Sequence, residues 1–282
     1  MKHRRLLWTG VIAGAFAAFI VNAVLAHASN SSPATEEFHH TYPITADGRI
    51  NLQNINGDVH IATWDQNQVK VDAIKRAYDE EGLKEEEIRI EASADSISIQ
   101  TKYHQRESGW HDHRAAEVEY MLTVPRSARL ESIELINGGL DVSGVKGDVH
   151  ASCINGTLKA RDLSGAAKLS TINGPLYADF AQLAHSIDLS SVNGPVHLTL
   201  PSDAKANIEA ATVHGGIDNN FGLRTNNHRW VGHDLRGELG GGGTRIHLNN
   251  VNGAIDVRHA NDGRTVSPAK DLRGHDEDDD EI

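Results

Sequence analysis

A short motif recurs along the chain and constrains its fold more than any other feature. It is an apolar residue followed by Asn-Gly, or once by His-Gly, and from residue 136 to residue 213 its copies begin 18, 18, 20 and 21 residues apart. Such a spacing predicts repeated units that bury their apolar side chains only by stacking on one another. The predicted structural turns of the repeat are Asn56-Gly57, Asn137-Gly138, Asn155-Gly156, Asn173-Gly174, Asn193-Gly194, His214-Gly215 and Asn252-Gly253.

A finer period of nine residues lies inside the longer one. From Ile136 to Phe180, five nonapeptides carry glycine at position three and apolar residues at positions one, five and seven. Positions five and seven share one face of a strand, and the more polar positions six and eight share the other. Glycine supplies a turn with positive φ, which asparagine also tolerates. The pattern predicts an all-β, β-solenoid-like stack with about 18–21 residues per coil, with turn asparagines forming a side-chain ladder.

The segment before these repeats has a less regular pattern. Alternating apolar residues from Ile50 to Pro125 predict strands in a hairpin-rich N-terminal half, and Glu80–Glu87 favours one short helix. Because Asn-Gly is also a common hairpin turn, an antiparallel sandwich or meander is the alternative fold. The last gap, from Val213 to Val251, is 38 residues and indicates one coil whose triplet has degenerated.

The amino terminus predicts export. Basic residues from Lys2 to Arg5 precede an apolar run over 6–26 and the sequence Ala26-His27-Ala28. This is typical of a signal peptide over residues 1–28, and an uncleaved membrane anchor is the alternative. We expect a flexible lead-in over 29–36, a single β-repeat domain over 37–260 and a disordered acidic tail over 261–282. The expected location is the periplasm or the cell surface.

Charge and cysteine content exclude several classes of protein. The 39 acidic residues outnumber the 27 basic ones, for a formal net charge of −12, which argues against nucleic acid as a partner. Cys153 is the single cysteine, so neither an intramolecular disulfide nor a Cys-rich zinc site can form. A small packed residue is favoured over a nucleophile at this position.

Other candidate sites have simpler interpretations. The histidines of His39-His40 and His111-Asp112-His113 could ligate a metal, but solvated or adventitious binding is favoured because histidines are scattered through the chain. The acidic tail lacks the spacing of a calcium loop. Gly240 to Gly243 predict a tight turn, because no lysine-serine pair or helical pattern follows them. We therefore predict no catalytic, metal-binding or cofactor-binding residue and no cofactor.

Several segments carry a family likeness. They are the strand Ile50 to Ile61 with Trp64-Asp65 after it, Leu122-Thr123-Val124-Pro125, the Asn-Gly coils, Val196 to Pro201, and Gly237 to Gly243 leading into Val251-Asn252-Gly253. With them the chain resembles, over residues 37 to 259, a bacterial adhesin-like family of unknown function with toast-rack-like β-strand repeats. The resemblance implies a stacked β-repeat fold and brings no catalytic residues.

Three functions are compatible with these features. The first is an exported, non-enzymatic β-repeat scaffold or adhesin-like module that presents a polar strand face to an envelope polymer, an envelope protein or another copy of itself. The second is an envelope-polysaccharide hydrolase or lyase, which needs three or more carboxylate, His or Arg side chains converging in an outer groove. The third is a membrane-anchored extracytoplasmic sensor domain, which requires residues 6–26 to persist as an anchor. Beyond that segment, no membrane contact is expected.

Overall fold

The computed structural model describes residues 34–103, 116–227 and 232–272. In this part of the chain two large β-sheets enclose one apolar core, and one short helix, α1 (Glu80–Lys84), lies beside them. The predicted signal peptide or anchor and the most acidic part of the tail lie outside the described residues. No helix within the described ranges is long and apolar enough to cross a membrane.

The strands are numbered along the chain, and each sheet has its own spatial order. Sheet A runs β1 (Ala34–Pro43), β4 (Gln68–Ala77), β7 (Glu117–Pro125), β3 (Val59–Trp64), β9 (Leu140–Ser143), β11 (Leu158–Leu163), β13 (Leu176–Phe180), β15 (Val196–Leu200), β21 (Ile255–His259), β17 (Ile217–Asn219). Sheet B runs β5 (Glu86–Ala92), β6 (Ser96–Tyr103), β2 (Arg49–Asn56), β8 (Arg129–Asn137), β10 (Val149–Asn155), β12 (Ala167–Asn173), β14 (Ile187–Asn193), β20 (Thr244–Asn252), β16 (Ala206–His214), β19 (His233–Leu239), β18 (Asn226–Asn227), with β22 (Ala269–Asp271) also on β19.

Each coil places one strand in each sheet. In one such coil, β10 of sheet B leads through the Asn155-Gly156 corner into β11 of sheet A. Strand β10 pairs in parallel with β8 and β12, and β11 pairs in parallel with β9 and β13. The predicted β-solenoid-like stack is therefore confirmed. Antiparallel pairing in the N-terminal half joins β1 to β4, β4 to β7 and β5 to β6. Of these pairs, β5 and β6 are consecutive along the chain and form a hairpin.

The core consists of short aliphatic side chains that both sheets point inward. Position five of the repeat supplies Leu140, Leu158 and Leu176 to sheet A, and each is at most 1% exposed. In sheet B, Leu169 and Leu189 are buried to the same extent. Complete burial of such a side chain stabilises the fold by roughly 1.5–3 kcal/mol. Stability therefore depends on adding coils, because each coil covers the aliphatic side chains of its neighbours.

Residues nine apart in the sequence do not occupy equivalent environments in the structure. Position one is buried in the nonapeptides that begin at Val145 and Leu163, but it is exposed in those that begin at Ile154 and Ile172. In the latter, position one is the apolar residue before Asn-Gly, and it points to the outer face of sheet B. The structural period is therefore 18 residues.

Coils do not stack in the order in which they occur along the chain. Strands β20 and β21 lie between the coil of β14 and β15 and the coil of β16 and β17. The interpretation of the 38-residue gap as a degenerate coil is wrong, because the intervening chain forms β19, which pairs antiparallel with β16. The chain thus caps the stack and then returns to insert one more coil beneath the cap.

Regular structure extends further than the predicted domain boundaries. Strand β1 begins at Ala34, inside the expected lead-in, because Ala34 pairs with Ala77 at the end of β4. At the other end, β22 pairs with β19, although residues 261–271 were expected to belong to the acidic tail. The buried Ser267 and an ion pair of Arg264 with Asp203, at 2.8 Å, hold this segment against the stack.

The helix α1 is shorter than the predicted Glu80–Glu87, since β5 already begins at Glu86.

Candidate functional site

The corner asparagines form a continuous ladder along one edge of the stack. From Asn137 onward, the Nδ2 atom of each asparagine donates to Oδ1 of the previous asparagine in spatial order, at 2.8–2.9 Å. His214 lies in register with Asn252 at the end of this series. The members of the ladder, in spatial order, are Asn56, Asn137, Asn155, Asn173, Asn193 and Asn252.

Two constraints at once require glycine after five of the six corner asparagines, and Gly156 is an example. Gly156 has φ of +155°, and a Cβ built on it would lie 2.0 Å from the carbonyl oxygen of Gly138. No side chain fits there, because the backbone of the previous coil occupies the space. The corner asparagines do not adopt the positive φ that this residue type tolerates, since Asp162 and Asn261 are the non-glycine residues of positive φ in the described ranges. They therefore serve the ladder through their side chains.

We predict that Asn155→Ala lowers the free energy of unfolding by about 1 kcal/mol, because it removes two ladder hydrogen bonds at an exposed edge. Ser170→Ala, on the outer face of sheet B, is the control and should change stability by less than about 0.5 kcal/mol. Urea unfolding followed by circular dichroism measures both values. Equal values for the two variants would contradict a stabilising ladder.

A second, buried column of polar side chains lies just inside the corners, and the repeat pattern gave no sign of it. Its members lie two residues before the corners, beginning with Asn54, which is 2% exposed, and the exception is the Asn137 corner, where Leu135 takes this position. The Asn54 amide nitrogen donates to Gly57 O at 3.0 Å and to Val118 O at 2.8 Å, and its oxygen accepts from Thr101 Oγ1 at 2.9 Å. Further along, Asn250 donates to Gly194 O at 2.8 Å. These contacts satisfy carbonyl groups that the tight corners turn away from the strands.

Cys153 belongs to the same column. Its Sγ donates to Gly138 O at 3.1 Å, and the residue is 1% exposed. Burial raises the pKa of the thiol to about 11, because desolvation disfavours the thiolate. The site therefore holds a packed, protonated thiol at neutral pH.

The outer face of sheet A carries one row of polar side chains, which we call the polar row: His60, Asp141, Lys159, Tyr177, His197 and Asp256. The rings of Tyr177 and His197 stack with their centroids 4.7 Å apart, and His197 Nδ1 lies 3.6 Å from an Asp256 oxygen. Arg161, on the next outward position, forms an ion pair with Asp141. The row thus offers an aromatic surface flanked by hydrogen-bond donors and acceptors.

The outer face of sheet B is different. From the Asn137 corner onward, it carries the aliphatic residues that precede the corners, each 37–43% exposed, which we call the aliphatic ridge: Ile136, Ile154, Ile172, Val192, Val251 and Val213. Beside it runs a row of smaller or polar side chains that includes Ser152, Ser170 and Ser190. At one end of the ridge a groove of about 550 Å³ is lined by residues that include Val192, Val213 and Val251. This face is apolar along one line and mostly uncharged beside it.

The remaining candidates from the sequence are placed as follows. His39 binds Asp72 at 2.8 Å, which raises the pKa of the imidazole, while His111-Asp112-His113 lies outside the described residues. Among residues 34–103, 116–227 and 232–272, no group of three or more His, Cys, Asp or Glu side chains is arranged to hold a metal ion. Gly240 to Gly243 all have positive φ and form the turn between β19 and β20.

The fold and its repeats coincide with one known family. The sequence profile of the Toastrack DUF4097 family matches residues 48–258 of this chain. The chain therefore belongs to the Toastrack DUF4097 family, and the resemblance to adhesin-like toast-rack repeats is confirmed. A comparison with curated proteins found no match.

A comparison with solved structures matched proteins that include two named as candidate adhesion proteins. The one from Clostridium sporogenes has 13% sequence identity and a TM-score of 0.42, with 81% of this chain and 100% of that chain covered. A candidate adhesin from Bacteroides fragilis has 9% identity and a TM-score of 0.41, with 80% and 98% covered. A candidate lipid-binding protein from Parabacteroides distasonis has 10% identity and a TM-score of 0.27, with 82% and 98% covered.

Proposed function

We propose that this protein is an exported, non-enzymatic β-repeat module that binds a polysaccharide-containing polymer of the cell envelope through the polar row of sheet A. The observation that carries the proposal is the register of the row. Lys159, Tyr177, His197 and Asp256 lie directly beside one another on four neighbouring strands. At about 4.8 Å per strand, they present contacts at a fixed repeat to a ligand that is itself repetitive.

The chemistry of the row suits a sugar polymer. The stacked rings of Tyr177 and His197 provide an apolar surface with polar edges, which can cover the C–H face of a saccharide. Lys159 and Asp256 flank the rings and can bind hydroxyl groups. Each contact is weak alone, but contacts along one rigid column act together, since binding at one site raises the effective concentration at the next.

The arrangement of charged groups favours binding over catalysis. Arg161 is paired with Asp141, and Asp256 with both Arg258 and His197. The two guanidinium groups neutralise these carboxylates along a strand face, whereas a hydrolase needs carboxylates held apart on either side of a scissile bond. Partial burial, together with the charge of Asp162, raises the pKa of Asp179, the one described carboxyl group of this face with a raised pKa.

A pelleting assay tests the proposal. We expect the exported protein to sediment with insoluble peptidoglycan, and Tyr177→Ala/His197→Ala to reduce the bound fraction at least about tenfold, because stacked rings carry a large share of such binding. Ser152→Ala/Ser190→Ala, on sheet B, is the matched double control and should bind normally. No sedimentation of the unaltered protein, or equal loss in both variants, would contradict the proposal.

Two further readouts distinguish the alternatives. Release of soluble saccharide fragments during the incubation would favour the polysaccharide hydrolase or lyase. Amino-terminal sequencing of the exported protein tests the sensor alternative, since a chain that begins at Ser29 has lost the anchor that a membrane sensor requires.

A further inference from the structure

The aliphatic ridge leaves a line of apolar side chains on the face opposite the polar row. Three isoleucines, Ile136, Ile154 and Ile172, occupy β8, β10 and β12, and three valines occupy β14, β20 and β16. Each is exposed by more than a third of its surface. Single exposed apolar residues need no explanation, but an uninterrupted line along six neighbouring strands marks an interaction surface.

We propose that this face of sheet B binds the same face of a second copy, with a two-fold axis parallel to the strands and midway between β12 and β14. Such an axis reverses the order of the strands and leaves each row of side chains opposite itself. Ile172 then packs on Val192 of the second copy, Ile154 on Val251 and Ile136 on Val213. Every residue of the ridge meets an apolar partner, with an isoleucine against a valine each time.

Charge complementarity selects this axis over its neighbours. Lys168 and Asp188 lie side by side on β12 and β14, both exposed, two positions from the serine row. Within the described ranges, neither side chain takes part in a hydrogen bond or an ion pair. The proposed axis places each Lys168 opposite Asp188 of the other copy, which forms two equivalent ion pairs. An axis moved onto β12 or β14 would instead oppose two lysines or two aspartates, which costs binding energy.

The size of the face fits a reversible dimer. Six strands at about 4.8 Å and seven residues at about 3.3 Å give a surface of about 29 by 23 Å. This approaches the roughly 800 Å² per partner of a standard interface. The net charge of −12 on each copy opposes association, so the dimer should form at micromolar concentration and at physiological salt, where the repulsion is screened.

Sedimentation velocity of the exported protein in 0.15 M salt tests the inference through charge reversal. Lys168→Asp places two aspartates opposite each other at both of the equivalent ion-pair positions. Asp188→Lys places two lysines opposite each other there. Each change should raise the dimer dissociation constant at least about tenfold. The double variant Lys168→Asp/Asp188→Lys restores both pairs in reverse and should return the constant to within about threefold of its original value. Lys159→Asp, on the opposite sheet, is the control and should leave it unchanged.

A second variant addresses the ridge itself. Ile172→Thr/Val192→Thr keeps β-branched residues on both strands and should also weaken the dimer at least about tenfold, because it removes the apolar contacts nearest the axis. A protein that stays monomeric up to about 100 μM would overturn the inference, including the case in which another protein or a membrane covers the ridge. A dimer unaffected by the single charge reversals, or one that the double variant fails to restore, would also overturn it. None of these outcomes depends on polymer binding by sheet A.

Discussion

Gly156→Val is expected to lower the free energy of unfolding by at least about 3 kcal/mol, the largest effect of any single change at a corner. Valine would have to adopt φ of +155°, and its Cβ would lie 2.0 Å from the carbonyl oxygen of Gly138. That oxygen belongs to the backbone of the neighbouring coil, so relief requires the two coils to separate. Separation would break the corner hydrogen bond from Gly156 N to Asn173 O, now 3.0 Å, and would expose core side chains.

Urea unfolding of Gly156→Val and Gly216→Ala measures this effect against a matched control. Gly216 lies one residue after the corner glycine Gly215, and a Cβ built on it meets no atom within 4 Å. Alanine at position 216 should therefore change the free energy of unfolding by less than about 0.5 kcal/mol. A loss of less than about 1 kcal/mol in Gly156→Val would mean that the coils do not stack as closely as described.

Asn54→Leu should lower the free energy of unfolding by about 3 kcal/mol, even though leucine has the same number of side-chain heavy atoms with the same branching as asparagine. The change leaves Gly57 O and Val118 O without the donor that now lies 3.0 and 2.8 Å away, and it removes the acceptor of Thr101 Oγ1. Leaving buried polar groups unpaired is costlier than losing an exposed hydrogen bond. Scanning calorimetry of the variant should show a lower unfolding temperature.

Gln53→Leu is the control for Asn54→Leu. Gln53 is exposed on the same strand and makes one side-chain hydrogen bond, of 3.3 Å, to Glu134. Its replacement should change the unfolding temperature little. An equal fall in both variants would show that β2 is sensitive to any apolar substitution and that the Asn54 contacts contribute nothing specific.

The repeat architecture could be predicted because its signals are local. Strand alternation and a corner glycine every 18 residues are properties of neighbouring residues, so Gly156 and Gly174 were identified without knowledge of their partners. The importance of Asn54 could not be identified in this way. Asn51, Asn54 and Asn56 lie within six residues of β2, and only Asn54 is buried. The groups that explain its burial, Val118 O and Thr101, come from strands that are distant in sequence.

The outer faces of the two sheets also differ in how far the sequence alone predicts them. The sequence placed polar residues such as Lys159 and Tyr177 outward, since alternation defines the two sides of a strand. It also marked Ile154 as apolar, which suggested no outward position for it. The exposure of Ile154 follows from the change of direction at the corner, where the chain leaves sheet B for sheet A.

By itself, the sequence determined that this chain forms short parallel strands joined at glycine corners. Strand alternation and the conformational freedom of glycine are both set by adjacent residues. The tertiary structure alone decided the order of the coils. Strands β20 and β21 enter the stack beneath β16 and β17, which precede them in the chain. All coils offer nearly the same aliphatic edges to a neighbour, so local pattern cannot distinguish one pairing order from another. The choice depends on where the connecting segments, such as β19, pack.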